Sequence, residues 1–232
     1  AMGTGTFLHT IIERVAEQVA AREGEGAVPG AVHDLAKRLV GFELQMNPYA
    51  VAELRATDLV RDKQATPPRD GLRFYVTNTL DDPYEEITQL GSSFGAISRS
   101  RRRANEVKAK TPVTVVIGNP PYKELAVGDG GWVEHGGREH GQRARPILED
   151  YFAEGGGRFK AKLKNLYVYF WRWATWKVWE TTPQFGDVHR GVVCFISTAG
   201  YLTGPAFTAM REHLRRHASE GWIVDLTPEG QT

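Results

Sequence analysis

The sequence predicts an α/β fold with a parallel or mostly parallel sheet and helices on both faces. Three observations predict it. Short apolar runs recur at residues 39–44, 72–77, 112–117, 191–196 and 221–226, with the length and composition of strands. Longer segments of helical period separate most of them. Strand and helix therefore alternate along the chain, and that alternation favours parallel pairing through helical crossovers. In such sheets ligands bind outside the carboxyl ends of the strands.

The elements follow in order. Gly3-Thr4-Gly5-Thr6-Phe7-Leu8 runs straight into a helix whose apolar face is Leu8, Ile11, Ile12, Val15 and Val19. Residues 24–30 form a Gly-rich loop, and a helix covers about 32–37. The run 39–44 reads as a buried strand carrying an acid near its end. Asn47-Pro48 starts the next helix, with Asn47 as N-cap and Pro48 in the first turn, and that helix continues to about Leu59. Residues 66–71 are loop and 72–77 a strand. Residues 84–110 read as a polar helix. The continuous apolar run 112–117 reads as a strand covered on both faces. Residues 123–157 are rich in Gly and charge, a long loop of the kind that is functional or mobile. A long helix covers 163–180, a buried strand 191–196, a helix 205–217 with Phe207, Met210 and Leu214 on one face, and a last strand 221–226.

The chain has 232 residues, 41% hydrophobic and 25% charged, which fits one globular domain over residues 1–232. With 29 Lys and Arg against 28 Asp and Glu, the charge of +1 excludes a histone-like polycation but not a local basic stripe for nucleic acid. One cysteine, Cys194, excludes an intrachain disulfide framework and zinc clusters, and reads as a buried small hydrophobe. No apolar run approaches the roughly 20 residues of a membrane span and no signal peptide opens the chain, so a cytoplasmic location is expected.

The chemistry concentrates after the 112–117 strand, in Gly118-Asn119-Pro120-Pro121-Tyr122. Two prolines stiffen the backbone and remove two amide donors. Asn119 offers a carbonyl acceptor and an amide donor, and Tyr122 a flat aromatic face. A rigid acceptor pair beside a stacking ring suits a planar heterocycle with an exocyclic amine. The competing reading is a strand-to-loop turn with Tyr122 packed for burial.

The segment Ile117 to Tyr122 resembles the catalytic motif of N6-adenine DNA methyltransferases. Other segments resemble further motifs of that family in the same order. Gly3-Thr4-Gly5-Thr6-Phe7-Leu8 resembles the loop that wraps S-adenosylmethionine. Gly41-Phe42-Glu43-Leu44 resembles the ribose-binding motif. Asn165-Leu166-Tyr167, residues 191–196, Tyr201-Leu202 and the helix with Phe207 and Arg211 resemble the segments after the catalytic strand. The likeness is to the methylase part of large single-chain restriction-modification enzymes, types ISP and IIG, and spans nearly the whole chain.

The resemblance implies a Rossmann-like class I S-adenosylmethionine-dependent methyltransferase fold. It also implies that the first and last strands are missing, with target-recognition, helicase and nuclease domains elsewhere in a parent chain. Exposed apolar surface, or a partner, is then expected beside the Leu8 helix. The implied reaction moves a methyl group from S-adenosylmethionine to N6 of an adenine flipped out of double-stranded DNA. Asn119 and the Pro120 carbonyl would accept from the amine, with Pro121 holding the turn and Tyr122 stacking on the base.

For the cofactor, the resemblance implies close approach at Gly3, Thr4, Gly5, Thr6 and Phe7, and ribose binding by Glu43 beside Leu44. Asn78 is placed where the family contacts the cofactor's adenine. For Gly-Thr-Gly-Thr the alternative is a structural turn, for Glu43 a helix-capping acid, and for Asn78 an ordinary turn asparagine. No metal is implied. Glu134, His135, Glu139 and His140 lack the helical His-Glu-x-x-His spacing.

Arg99 to Arg103 reads as a solvated helix face, with DNA phosphate contact as the alternative. In the aromatic cluster between Tyr167 and Trp179, the residues Tyr169, Trp173 and Trp176 read as core. Two further functional readings stand beside the first. One is an inactive cofactor-binding or scaffold fragment. The other is a methyltransferase acting on RNA or a protein glutamine.

Overall fold

The computed structural model describes residues 1–87, 95–139, 142–153, 160–181 and 191–226. Short parallel strands with helices on both sides make it an α/β structure. Helix α1 (Thr6–Glu23) buries Leu8, Ile12 and Ala16, one per turn. Helix α2 (Val28–Ala36) lays Val28, Val32 and Ala36 against them. Strand β1 (Val40–Glu43) follows, then α3 (Met46–Asp62) and β2 (Arg73–Val76). The two strands pair in parallel from Val40↔Arg73 to Glu43↔Val76. Ala56 and Val60 of α3 and Phe74 of β2 close this first core. Leu8 and Ile12 of α1 are thus covered by neighbouring elements, while α3 beside it exposes Met46, Val51 and Leu54.

Helix α4 (Gly95–Lys110) leads into β3 (Val115–Gly118). Then come α5 (Gly131–His135), a hairpin of β4 (Gly137–Glu139) and β5 (Gln142–Ala144), and a 3-10 turn Ile147–Tyr151. Helix α6 (Lys160–Leu163) precedes α7 (Leu166–Thr175), which runs on as a π-helical turn Trp176–Glu180. Strand β6 (Val192–Phe195) pairs with β3 in parallel from Val115↔Val192 to Gly118↔Phe195. Helix α8 (Gly200–Thr203), a 3-10 turn Pro205–Phe207 and α9 (Thr208–His217) follow. The second core centres on α7, where Tyr169, Trp173 and Trp176 are buried as the helical spacing predicts. Phe42 of β1, Val116 of β3 and Val193 and Phe195 of β6 all pack on it. That shared core joins the two strand pairs, which are separate two-stranded sheets rather than one continuous sheet.

Several expectations are corrected. Of the helix read over 84–110, Gly95–Lys110 is helical and residues 84–87 are not. Earlier, the Asp82 carboxylate accepts from the Tyr84 N–H at 2.8 Å, a local turn across Pro83 that competes with a helix. Residues 88–94 lie outside the described residues. Helix α3 starts at Met46 with Gln45, not Asn47, at the N-cap. Strands β3 and β6 are covered on one face only: Val115 and Val192 are 57% and 55% exposed, while Val116 and Val193 pack inward. The same alternation exposes Cys194. The stretch 123–157 is in part built structure, since Ala126, Trp132, Val133, Leu148 and Tyr151 join the second core. Residues 221–226 form no strand: they have no ladder partner among the described residues, and Trp222 is 89% exposed.

Candidate active site

The first group of candidate residues gathers at the end of β1. Gly3 (φ 58°) and Gly5 (φ 82°) are both left-handed, the conformation that admits glycine at low cost. Gly5 is the N-cap of α1, and a Cβ there would sit 3.0 Å from the Ala52 Cβ. Glu43 is buried and fully engaged. Its Oε2 accepts from the Gly3 N–H at 2.8 Å, and its Oε1 accepts from Leu44 at 2.9 Å and Gln45 at 3.0 Å. One carboxylate therefore closes the glycine loop and holds the turn that leads into α3, without capping the N–H groups of the helix itself. Thr4 and Thr6 are exposed and Phe7 half-buried. The Thr4 carbonyl accepts from Arg55 at 3.3 Å. Leu44, beside the buried acid, turns its side chain outward.

Asn78 joins this group through the backbone. The Thr77 N–H donates to the Glu43 carbonyl at 2.8 Å, extending the β1–β2 ladder by one bond. The Asn78 side-chain oxygen accepts from the Leu80 N–H at 3.0 Å, which makes it a turn asparagine as well as a candidate contact.

The second group follows β3. The Gly118 carbonyl accepts from the Ile196 N–H at 3.0 Å, so pairing with β6 continues to the brink of the motif. Asn119 is exposed, Pro120 buried, Pro121 exposed and Tyr122 48% exposed. The Tyr122 hydroxyl lies 2.5 Å from Asn119 Oδ1 and 2.9 Å from the Ile196 carbonyl. Its single proton serves two acceptors. Partial burial raises the hydroxyl's pKa, so it stays a donor. Chemically, two acceptors, Asn119 Oδ1 and the Ile196 carbonyl, meet at one hydroxyl just beyond the ends of β3 and β6. The turn reading with Tyr122 packed for burial does not describe a ring this exposed.

The two groups stand on different strand pairs over one core. Phe42, next to Glu43, meets Trp173 edge-on with ring centroids 6.1 Å apart. Trp171 of the same helix meets Phe195 at 5.2 Å and donates to Ser197 at 3.4 Å, beyond the end of β6. Asn165 caps α7 by accepting from Tyr167, and Arg211 donates to the Tyr201 and Gly204 carbonyls at 2.8 Å. Sequence reasoning missed the Ile196 carbonyl, whose role depends on register, and three buried cations, Lys108, Arg172 and Lys177. Lys108 falls on the α4 face of Ala104 and Val107, but its charge reads like that of the exposed Arg102, Arg103 and Lys110.

The remaining candidates fall away from these groups. Burial alone would raise the Glu134 carboxyl, but Lys164 and the N–H groups of Gly128 and Gly130 hold it below its usual range. No group of three or more His, Cys, Asp or Glu that could hold a metal occurs among the described residues. His140 and the side chain of Glu139 lie outside them. Arg101 pairs with Asp81 at 3.1 Å, while Arg99, Arg102 and Arg103 are exposed. Among the described residues no helix is long and apolar enough to cross a membrane.

No protein-family model matches the chain, and no curated protein does either. Solved structures do. The chain is similar in fold to part of the ATP-dependent Type ISP restriction-modification enzyme LlaBIII bound to DNA, with TM-score 0.63 and 24% identity. That match covers 92% of this chain and 13% of the other. A DrdV–DNA complex gives TM-score 0.62 at 23% identity, covering 94% of this chain and 18% of that one. A nuclease-deletion mutant of the Type ISP restriction-modification enzyme LlaGI, in complex with a DNA substrate mimic, gives 0.61 at 19%, covering 92% and 16%. The chain thus spans less than a fifth of each of these chains.

Proposed function

We propose that the chain is the methyl-transferring part of a restriction-modification enzyme. It acts with S-adenosylmethionine on N6 of an adenine flipped out of double-stranded DNA. The observation that carries this reading is Asn119-Pro120-Pro121-Tyr122 at the open end of β3, with Asn119 Oδ1 already accepting from a hydroxyl. Its support from outside is the fold shared with DNA-bound restriction-modification structures. Target-recognition, helicase and nuclease domains are the partners proposed for the rest of a longer chain.

The β1 residues fit a nucleoside donor. The Glu43 carboxylate is fixed by three N–H groups, and a carboxylate has about four acceptor positions, which leaves room for a ribose hydroxyl. A Cβ at Gly3 would meet nothing within 4 Å, so the loop is open above it. Leu44 offers an exposed apolar side chain beside the acid. Glu43, Leu44, Asn78 and the Gly3 to Phe7 loop would hold the donor, and S-adenosylmethionine supplies an electrophilic methyl group when bound.

The chain's own residues do the rest. Adenine N6 is a weak nucleophile because its lone pair is spread into the ring. Acceptance of its two hydrogens by Asn119 Oδ1 and the Pro120 carbonyl favours a tetrahedral nitrogen and stabilises its growing positive charge, and the methylated nitrogen then sheds one of those hydrogens as a proton to water. Tyr122 first gives up Asn119 Oδ1, and its ring then stacks on the base, which offsets about 1–3 kcal/mol of the cost of flipping.

The test is transfer of labelled methyl from S-adenosylmethionine to mixed-sequence duplex DNA. Label in the DNA, lost in Asn119→Ala, is the expected result. Donor binding without any transfer to DNA would overturn the reading for this chain and favour the scaffold alternative, which the exposed faces of β3 and β6 support.

A further inference from the structure

The Lys108 ammonium is fully buried in α4, and no carboxylate lies within ion-pair distance of it among the described residues. Burying such a charge is costly unless it is put to use. Its contacts lie at the ends of the two strands that carry the proposed donor residues. Nζ donates to the Asn78 carbonyl at 2.6 Å, reaches Thr77 Oγ1 at 3.5 Å, and stands 5.6 Å from the centre of the Phe42 ring. Phe42 precedes Glu43 in β1, and Thr77 and Asn78 follow β2. The other bonds of that loop are local or lateral: Thr77 N–H to Glu43, Leu80 N–H to Asn78, and Trp132 N–H to the Leu80 carbonyl. Among the described contacts Lys108 makes the shortest of three bonds to the Asn78 carbonyl, and the only one that comes from another element: the Asp81 N–H and Thr77 Oγ1 reach it locally at 3.3 and 3.4 Å.

We propose that Lys108 is a positioning residue for the donor pocket, holding the ends of β1 and β2 in the arrangement that binds the adenosine half of the ligand. The proposal rests on the reading of Glu43 and Asn78 as donor residues. An apolar side chain in its place would leave the Asn78 carbonyl only its two long local donors, the Asp81 N–H and Thr77 Oγ1, and free the Asn78 turn to shift.

The test is calorimetric titration of the chain with S-adenosylmethionine and with adenosine alone, for the parent and for Lys108→Met. A positioning role raises the Kd of both ligands at least about tenfold at unchanged stoichiometry, because a charge-assisted hydrogen bond is lost. A merely structural role lowers the melting temperature or the binding-competent fraction and leaves Kd alone. An unchanged Kd in folded Lys108→Met overturns the proposal and leaves the donor-site reading standing. A parent chain that binds neither ligand overturns both.

A second measurement needs no variant. Burial pushes Lys108 down to about 8, with Asp81, Asp82 and Glu85 opposing and Arg101 assisting. Lys177, which donates to the Lys108 carbonyl at 2.7 Å, is pushed to about 8 by its own burial. Adenosine has no group that titrates there, so its Kd on the parent chain should rise as pH passes about 8. A flat profile between pH 7 and 9.5 overturns the proposal.

Discussion

Glu43→Gln tests whether one carboxylate holds the glycine loop. The carboxylate receives three N–H donors, from Gly3, Leu44 and Gln45, at 2.8, 2.9 and 3.0 Å. Glutamine keeps the shape but has only one acceptor oxygen. Its better orientation keeps Leu44 and Gln45 on that oxygen and turns an amide NH₂ against the Gly3 N–H. One charge-assisted bond, worth about 1.5–3 kcal/mol, is then lost. The other two fall to neutral strength, about 1 kcal/mol weaker each. The sum is about 3–5 kcal/mol, and water reaching the half-buried Gly3 brings it toward the lower end. For a chain of this size that is a fall of roughly 6–12 °C in melting temperature. The assay is urea unfolding followed by circular dichroism, with Glu23→Gln on the exposed end of α1 as a control expected to change stability by less than about 0.5 kcal/mol. A loss below about 1 kcal/mol in Glu43→Gln would refute the claim that this carboxylate closes the loop.

The loop glycines should differ from each other. Gly3→Ala meets only the left-handed penalty of about 1–2 kcal/mol, whereas Gly5→Ala also drives a Cβ to 3.0 Å from Ala52 and should unfold at lower urea. Tyr122→Phe keeps the ring but removes the hydroxyl from Asn119 and Ile196. It should tighten binding of DNA with an unpaired target adenine about two- to tenfold, measured by fluorescence anisotropy of end-labelled DNA. Arg172→Met leaves Asp150 and Glu180 without the guanidinium that contacts both, and a loss of about 3 kcal/mol in urea unfolding is expected. His213 should make the fold acid-sensitive: burial first, then the charges of Arg172 and His217, push it from 6.5 to about 4. Between those values the unfolded chain binds the proton and the folded chain does not, so stability falls as pH drops from about 6.5 to about 4. His213→Phe should flatten that slope in urea midpoints measured against pH.

What was legible in the sequence was local. The apolar periods of α1 and α9 mark their buried faces, and Val40 to Glu43 and Val115 to Gly118 read as strands from composition alone. The site motifs sit where parallel strands end, which alternation suffices to predict. The errors came from non-local facts. A continuous apolar run looks the same whether one or both faces of a strand are covered, so Val115, Val192 and Cys194 were expected inside and stand outside. Residues 221–226 have strand composition, but a strand also needs a partner. The Gly- and charge-rich stretch 123–157 hides Trp132, Leu148 and Tyr151, too sparse for a period to register, yet buried under α7. Lys108 and Arg172 look like surface residues in a charged helix and an aromatic one. Helical spacing puts each on a buried face, Lys108 with Ala104 and Arg172 with Tyr169 and Trp176, but their charge argues for solvent and only the packing decides.

The most direct test of the central claim is the identity of the methylated base. DNA incubated with the chain and labelled S-adenosylmethionine is digested to nucleosides and separated chromatographically. The proposed roles of Asn119, Pro120 and Tyr122 predict label in N6-methyldeoxyadenosine, and none with Asn119→Ala. Label on cytosine, or on the protein rather than the DNA, would contradict it.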